Sequence, residues 1–320
     1  MGKNLFKKAL GTVSSLFKGN AEHPVNNSCT VNEHIESLHG TDISSQEESD
    51  VTLKKENLNH VIDIFRQTTE RDAIKIKLKG STNNILSSKF GGTPYLPHEQ
   101  EVPVNSHGQQ LHLLSQIRMD ELPESQIGLP STGMLQFWAL DDDTTGLDFD
   151  YTLKADDYRI IYYPTIDETV TKEEIESKYQ PYCENESYFP IQDEFGIYFL
   201  LEKEAMSYSD YQFEHTFIET WNHEYPDIPI TDLDGLDGDL ISDEFCATGH
   251  KMGGYPFFTQ WDPREGRTDN LKILLLQIDT DQLEDKGIMW GDSGVANFFI
   301  NADDLKQLNF SKVLYNWDCY

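Results

Sequence analysis

The sequence lacks any long run of apolar residues. Its longest apolar stretch, around residues 273–276, is far too short to span a bilayer. Lys3, Lys7, Lys8 and Lys18 are scattered among the apolar residues of the first twenty positions. A secretory signal instead places its charges ahead of an uninterrupted apolar region. We therefore expect a soluble protein that is located in the cytoplasm.

Cysteine is also sparse. Cys29, Cys183, Cys246 and Cys319 lie far apart, and no two of them form a Cys-x-x-Cys pair. A disulfide scaffold or a structural zinc site needs closer spacing, so we expect free thiols in a reducing compartment. The chain has no phosphate-binding loop of the Walker or Rossmann type, and nucleotide binding therefore has no support.

Basic residues are too few to balance the acidic ones. The chain has 25 Lys and Arg against 56 Asp and Glu, a formal net charge of −31. From Glu204 to His250 there are twelve acidic residues and no Lys or Arg. Such a field repels nucleic acid and anionic lipid and attracts cations and basic proteins. We expect no nucleic-acid partner and a basic protein partner; a role in solubility alone is the alternative.

The N-terminal part differs in composition from the rest of the chain. Residues 1–20 combine four lysines with apolar residues at helical spacing, which predicts a short basic amphipathic helix. This helix is the one segment suited to contact a membrane or a partner, or else the acidic body of its own chain. Residues 21–50 are polar and predict a flexible linker, and order is expected from about residue 51.

Alternation and capping signals predict several elements. Ile74, Ile76 and Leu78 alternate with lysines, which predicts a half-buried strand with a basic outer edge. Thr171 and Glu174 are spaced as a capping box for a helix over residues 172–180. Further strands are predicted at residues 111–117, 133–140, 158–163, 196–202, 272–278, 295–300 and 312–317.

The second half of the chain repeats the first. When the sequence is aligned with itself at a shift of 161 residues, Leu114–Ile117 aligns with Leu275–Ile278. At a shift one residue longer, Lys89–Tyr95 aligns with Lys251–Phe257. We call residues 89–95 and 251–257 the first and second Gly-Gly loops, since both read Lys-x-Gly-Gly-x-Pro-aromatic. The repeat predicts an α+β fold with an internally duplicated β-rich unit and short helices. Two pseudo-symmetric halves, about residues 51–165 and 166–320, would pack as one body.

Several segments together resemble the YwqG-like family, which is defined by the DUF1963 domain. In the second half of the chain these segments are His250–Arg264, Leu274–Asp279 and Met289–Phe299. The first half of the family pattern is matched by Lys89–Pro97, by the Leu-Leu-Ser-Gln-Ile stretch ending at Ile117 and by the stretch starting at Gly133. The resemblance covers roughly residue 55 to the C-terminus. It implies a duplicated α+β fold in a bacterial cytosolic protein. The family is one of unknown function, so it supplies no catalytic residues. Some members are found near polymorphic toxin systems, which implies an immunity or accessory role.

Candidate ligand-binding residues lie on the Gly-Gly loops and on nearby predicted loops, where recognition often resides. If a ligand site lies between the two loops, we expect it to use Lys89, Tyr95, Lys251, Tyr255, Trp261, Arg264, Trp290 and Asp292. Tight turns and core packing are the structural alternative for these residues. The letters Gly-Asp-Ser-Gly at residues 291–294 match those around a serine-protease nucleophile. The repeat explains them as a turn, so no catalytic residue is assigned.

An acidic stretch offers a candidate calcium loop. Asp232, Asp234, Asp237 and Asp239 have the density of carboxylates that calcium prefers. The stretch lacks the ligand and glycine positions of an EF-hand, and no clear helix is predicted after it. A solvated acidic turn is the alternative, and calcium is the one cofactor that the sequence suggests.

Three hypotheses for function follow in order. The first is a non-enzymatic binding or immunity-type protein that presents its acidic surface to a basic protein partner. The second is an enzyme or small-ligand binder with its site between the two Gly-Gly loops. The third is a calcium-binding protein.

Overall fold

The computed structural model describes residues 45–142, 144, 146, 156–180 and 188–320, with side chains from residue 55 onwards. The predicted basic helix, residues 21–44 of the predicted linker, Cys29 and Cys183 lie outside the described residues. Helix α1 begins at Ser45, inside the predicted linker and six residues before the expected start of order at residue 51.

The fold is mixed α+β. The described helices are α1 (Ser45–Thr69), α2 (Lys172–Glu176), α3 (Phe213–Glu224), α4 (Gly238–Glu244) and α5 (Ala302–Lys306). The first six described strands are β1 (Arg71–Lys79), β2 (Lys89–Phe90), β3 (His112–Arg118), β4 (Met134–Ala139), β5 (Tyr158–Tyr163) and β6 (Phe195–Glu204). The other six are β7 (Lys251–Gly253), β8 (Ile273–Asp279), β9 (Asp281–Leu283), β10 (Lys286–Ile288), β11 (Val295–Ile300) and β12 (Leu314–Asp318).

All eight strands predicted from the sequence are present within a few residues of their expected bounds. The predicted capping contact is also present, since the Thr171 side chain accepts a hydrogen bond from the Glu174 N–H. Helix α2 nevertheless ends at Glu176, four residues before the predicted end.

Ten strands form one antiparallel sheet in the order β12-β11-β8-β7-β1-β6-β2-β3-β4-β5, and β9 and β10 form a separate hairpin. The sheet curls into a nearly closed, barrel-like shape. Its two outer strands come together where Tyr158 Oη on β5 donates a hydrogen bond of 2.7 Å to the Val313 carbonyl, one residue before β12. The Tyr158 and Tyr315 rings pack 5.3 Å apart across the same seam.

Two pairs of strands share one register. In β3 and β4, Leu113 pairs with Trp138 and Ser115 with Phe137, with a register shift between them. In β8 and β11, Leu274 pairs with Phe299 and Leu276 with Phe298, again with a register shift. Each of these residues lies 161 positions from its counterpart.

Strand β1 is not at an edge, and the prediction of a basic outer edge was wrong. It pairs along its whole length with β6, and residues 73–75 also pair with β7. Lys75, Lys77 and Lys79 alternate with buried residues, because one face of the sheet is polar. Alternation of polar and apolar side chains shows that one face of a strand is polar. It does not show whether the backbone of that strand is hydrogen-bonded to a neighbouring strand on each side.

Apolar residues fill the inside of the curled sheet and a second layer outside it. Within the sheet, the rings of Phe137 on β4 and Phe298 on β11 pack 5.0 Å apart. Helices α1, α3 and α4 form the second layer, which we call the helical layer. Its centre is Phe65, whose ring lies 5.0, 5.2 and 5.0 Å from the rings of Phe213, Phe217 and Phe245.

The described cysteines correct the expectation of free thiols. Cys319 is free, whereas Cys246 is disulfide-bonded. The spacing of cysteines along the sequence does not determine their distances in the folded protein. No helix within the described ranges is both long enough and apolar enough to cross a membrane.

The helical layer supplies the first prediction. Replacement Phe65→Ala removes a fully buried ring that contacts three others, so we expect a loss of about 3–5 kcal/mol in the free energy of unfolding. Urea unfolding followed by circular dichroism measures the change. Ile228→Ala is the control, because Ile228 is 50% exposed and its loss should stay below about 1 kcal/mol. Equal losses would show that the layer does not depend on Phe65.

Candidate functional site

A fully buried lysine begins each Gly-Gly loop, and both lysines pair with β6. Lys89 Nζ donates a hydrogen bond of 2.9 Å to Glu194 Oε2, just before β6 begins. Lys251 Nζ donates one of 2.8 Å to Glu204 Oε1, where β6 ends. Ten residues of strand span roughly 33 Å. The two loops therefore lie at opposite ends of one strand.

The glycines let each loop come close to its glutamate. Gly92 and Gly254 have φ angles of +72° and +62°, a region that side chains disfavour. A Cβ on Gly254 would lie 2.2 Å from Glu204 Oε2, and one on Gly92 would lie 2.3 Å from Glu194 Oε2. At the second loop, Glu204 Oε2 also accepts a hydrogen bond from the backbone N–H of Tyr255 at 2.7 Å.

A buried glutamine closes each loop from the other side. Gln116 Oε1 accepts from the Tyr95 N–H, and Gln277 Oε1 accepts from the Phe257 N–H, both at 2.8 Å. The Gln277 amide donates to the carbonyls of Ala247 and Gly249, and the Gln116 amide does the same at residues 85 and 87. The two lysines and the backbone N–H groups of Tyr95, Tyr255 and Phe257 thus bond within the protein, which stabilises both loops.

Burial shifts the ionisation of the second loop. Removal from water lowers the pKa of Lys251 to about 8, against the opposing effect of Glu204. The pKa of Glu204 is lowered because its two neighbouring cations, Lys251 and Lys75, outweigh the opposing effect of burial. Lys75 Nζ lies 2.5 Å from Glu204 Oε1, so one carboxylate is shared by two ammonium groups.

Arg264 joins the second loop region to the helical layer. Its guanidinium donates to Asp262 and, at 2.8 Å, to Asp210, which lies three residues before α3. It also lies 4.4 Å from the centre of the Phe299 ring. These bonds raise the pKa of Arg264 although burial opposes them. Arg264, which the sequence predicted as a ligand-binding residue, is therefore buried and connects the sheet to the start of α3.

The two predicted tyrosines are also internally bonded. Tyr255 Oη donates to the Thr69 carbonyl at 2.7 Å. The Arg71 guanidinium carbon lies 3.4 Å from the centre of the Tyr255 ring. Tyr95 Oη accepts from the Asp167 N–H at 2.8 Å. Tyr255 belongs to the helical layer, whereas Tyr95 is buried beside the first loop.

The three remaining predicted residues lie apart from these contacts. Trp261 is 63% exposed, Asp292 is exposed, and Trp290 is 3% exposed. Trp290 lines a cavity of about 100 Å³ beside β12, together with Tyr315 and Trp317. The structure therefore does not gather the eight predicted residues around one pocket: Trp290 lines this cavity, whereas Trp261 and Asp292 do not.

The acidic stretch forms a turn and a helix start. Asp232 Oδ1 accepts from the Asp234 N–H, and Asp237 Oδ1 accepts from the Leu240 N–H as the cap of α4. The expectation that no helix follows was wrong, because Asp237 supplies a start signal. In the part of the chain that the structure describes, no three His, Cys, Asp or Glu side chains lie close enough to hold a metal ion. The geometry gives a calcium loop no support.

The outer surface of the helical layer carries most of the acidic segment. We call the outward side of α3, α4 and the residues between them the acidic face. Nine carboxylates are exposed on it: Glu214, Glu219, Asp227, Asp232, Asp234, Asp237, Asp239, Asp243 and Glu244. Phe213, Phe217 and Trp221 point the other way and are buried, so the spacing of four residues in α3 keeps its acids outside.

The sequence pattern missed Glu194 and Glu204, which bind the two lysines. The repeat aligned Lys89 with Lys251 and Gln116 with Gln277, but the glutamates lie at the two ends of one strand and have no matched positions. An unpaired lysine at the same place in both repeats was the available signal, since a buried lysine needs a carboxylate.

The second Gly-Gly loop generates the next prediction. We expect Gly254→Ala to cost about 3–5 kcal/mol in unfolding free energy, because it combines positive-φ strain with displacement of Glu204. Gly235→Ala is the matched control, since Gly235 has φ +80° and nothing within 4 Å of an added Cβ. It should cost about 1–2 kcal/mol. Similar losses in both variants would contradict the role of Glu204.

The lowered pKa of Lys251 predicts that the stability of the protein depends on pH. Its pKa is about 8 in the folded chain and about 10.4 unfolded. The unfolded state therefore holds more protons between these values, and stability rises with pH. We expect a gain of about 1–2 kcal/mol from pH 8 to 9.5 that is absent in Lys251→Met. Urea titrations across this range measure it, and parallel curves for both proteins would refute it.

The proposed pH range ends at 9.5 because, above it, buried tyrosines change the stability in the opposite direction. Burial raises the pKa of Tyr163 and Tyr315. The folded state then keeps protons that the unfolded state loses above about pH 10, so stability falls there.

Comparison with known proteins identifies a family. The profile of a domain of unknown function, DUF1963, matches residues 88–319, and no curated protein matches the chain. The matched region begins beside β2 and contains both Gly-Gly loops, the helices α3 and α4 and the cavity around Trp290, whereas α1 and β1 precede it. Because the match covers well over half of its residues, the chain belongs to the DUF1963 family.

Proposed function

We propose that the protein is a non-enzymatic binding protein that docks a basic protein partner on its acidic face. The observation that carries this proposal is the set of nine exposed carboxylates on α3, α4 and the residues between them, in a segment without Lys or Arg. A surface of one sign speeds the approach of an oppositely charged protein and disfavours other partners. A cationic toxin neutralised by the protein is a partner of this kind.

Few of these charges are neutralised by the protein itself. Glu244 pairs with Arg66 on α1, and Glu219 lies 3.2 Å from His215. Ion pairs between exposed side chains contribute little, so a partner can compete with them. Asp232 and Asp237 accept hydrogen bonds from nearby backbone N–H groups, and the other carboxylates of the face are exposed to solvent.

The acidic face also offers apolar contacts. Ile228 is 50% exposed, and Tyr208 and Tyr211 beside α3 are 50% and 38% exposed. Interfaces combine a central apolar or aromatic patch with a polar rim. These side chains would give the complex an affinity that charge alone does not supply.

The helices beneath the face are fixed before binding. The Phe65 cluster holds α1, α3 and the end of α4 together, and Arg264 ties the start of α3 to the second Gly-Gly loop region. A surface that is already ordered loses less entropy on association. This rigidity favours a preformed docking face.

We also infer that the body arose by duplication of one β-rich unit. The shared register and register shift of β3–β4 and β8–β11 support it, as do the matched glutamines that close the two Gly-Gly loops. Among the described residues from β1 to β5 there is no α-helix that would correspond to α3 and α4. The proposed docking surface is therefore an addition to the repeated unit.

The acidic face can be tested by charge removal. We expect the variant Glu214→Gln, Glu219→Gln, Asp227→Asn, Asp243→Asn to lose at least about tenfold in affinity for the partner, since four favourable charges are removed. Partners are captured from native cytosol at low salt and eluted in salt steps. The affinity of the purified partner is then measured by calorimetry at two salt concentrations.

A second variant with the same charge change controls for overall acidity. Glu99, Glu101, Glu121 and Glu124 are exposed and lie outside the acidic face, and their replacement by Gln should leave binding within about twofold at physiological salt. If both variants weaken binding equally, the total charge is responsible rather than the face. A partner whose affinity does not fall with salt would contradict the proposal.

A further inference from the structure

Three histidines lie on or beside the acidic face, and each contacts a carboxylate. His215 Nε2 lies 3.2 Å from Glu219 Oε1 on α3. His223 Nδ1 lies 2.9 Å from Glu224 Oε1, and His60 Nε2 on α1 lies 3.2 Å from Glu224 Oε2. The carboxylate at the end of α3 is therefore held by two imidazoles, one on each of its oxygens.

The three histidines are open to solvent. The exposed fractions of their side chains are 77% for His215, 84% for His223 and 50% for His60. They can therefore exchange protons with water without any change in the fold. An ordinary histidine gains a proton as the pH falls through about 6.5, which no other side chain does in its unperturbed state.

The charged groups around the histidines are carboxylates. Within four residues of each histidine along the chain there is no Lys or Arg. The acidic residues in these three windows are Glu56, Asp63, Glu214, Glu219, Glu224 and Asp227. Tyr211 and Tyr225 are the other titratable residues there, and the Tyr225 ring packs edge-on against His60 with the ring centres 6.1 Å apart. A tyrosine carries no charge near neutral pH, so a proton on these histidines meets only negative charge.

The carboxylate between two of the histidines stays ionised as the pH falls. Its hydrogen bonds to His223 and His60 lower the pKa of Glu224 below its ordinary value. Unperturbed carboxyl groups titrate near pH 4. Between pH 7.5 and 5.5 the histidines therefore change their charge, whereas the acidic groups around them largely keep theirs.

We propose that these three histidines form a pH switch, which weakens the binding of a basic partner to the acidic face as the pH falls from 7.5 to 5.5. This inference rests on the proposed function, because it concerns the regulation of the same face. Each proton adds a positive charge beside a carboxylate, and the resulting ion pair competes with the lysines of the partner. The lysines themselves do not titrate in this range, so the change in affinity comes from the acidic face.

An N-acetylated octalysine peptide is the probe, since it is basic and contains no histidine. Its affinity for the full chain is measured by calorimetry at pH 7.5 and 5.5 at one ionic strength, because salt screens exposed charges. We expect the unmodified protein to bind about tenfold more weakly at pH 5.5. The variant His60→Gln, His215→Gln, His223→Gln cannot gain these protons, and its affinity should change by less than about twofold.

The control variant replaces two other exposed histidines. His98 and His107 lie outside the acidic face, so His98→Gln, His107→Gln should keep the tenfold change. Equal binding of the unmodified protein at both pH values overturns the switch and leaves the proposed function intact. Absence of binding at pH 7.5 overturns both. The assignment to these three histidines is also overturned if their replacement keeps the pH dependence, or if the control variant loses it.

Discussion

The two ends of β6 each carry a carboxylate that holds a fully buried lysine, and the arrangement of the sheet depends on these two contacts. Lys89 at Glu194 fixes the first Gly-Gly loop, and Lys251 at Glu204 fixes the second. A buried ammonium without a carboxylate is far too costly to keep. Strand β6 lies between β1 and β2, and in this position both glutamates reach their lysines.

The strands were predictable because their signals are local. Val295–Ile300 and Tyr158–Tyr163 have the bounds expected from the sequence, since runs of β-branched and aromatic residues end at turn residues. The ion partners of the lysines were not predictable in this way. A period of two along β1 shows which side chains share a face, but not which strand lies beside it. Pairing across 105 or 129 residues, as in Lys89–Glu194 and Lys75–Glu204, depends on topology.

The candidate site was predicted only in part for a related reason. The sequence singled out Tyr255, Arg264 and Trp290 as recognition residues, yet the first two bond within the protein and the third lines a cavity. Aromatic and charged residues in a predicted loop have the same composition whether they serve packing or binding. Helix α3 was missed although Phe213, Phe217 and Trp221 recur every four residues. The polar residues of this helix, among them three glutamates, obscured the apolar stripe.

The acidic face and the aromatic cavity around Trp290 lie on different elements of the fold, and this arrangement bears on function. The second Gly-Gly loop and Arg264 connect the helical layer to the sheet, whereas the aromatic cavity lies beside β12 and contacts none of these groups. A basic protein on the acidic face would therefore contact the helical layer rather than the residues around the cavity. Coupling between them would require a shared element with two arrangements. The packed interior formed by Phe137, Phe298 and Tyr315 is continuous with the cavity wall, but the helical layer has its own core around Phe65. Because these two hydrophobic clusters are separate, we expect binding at the acidic face to leave the interior of the sheet unchanged.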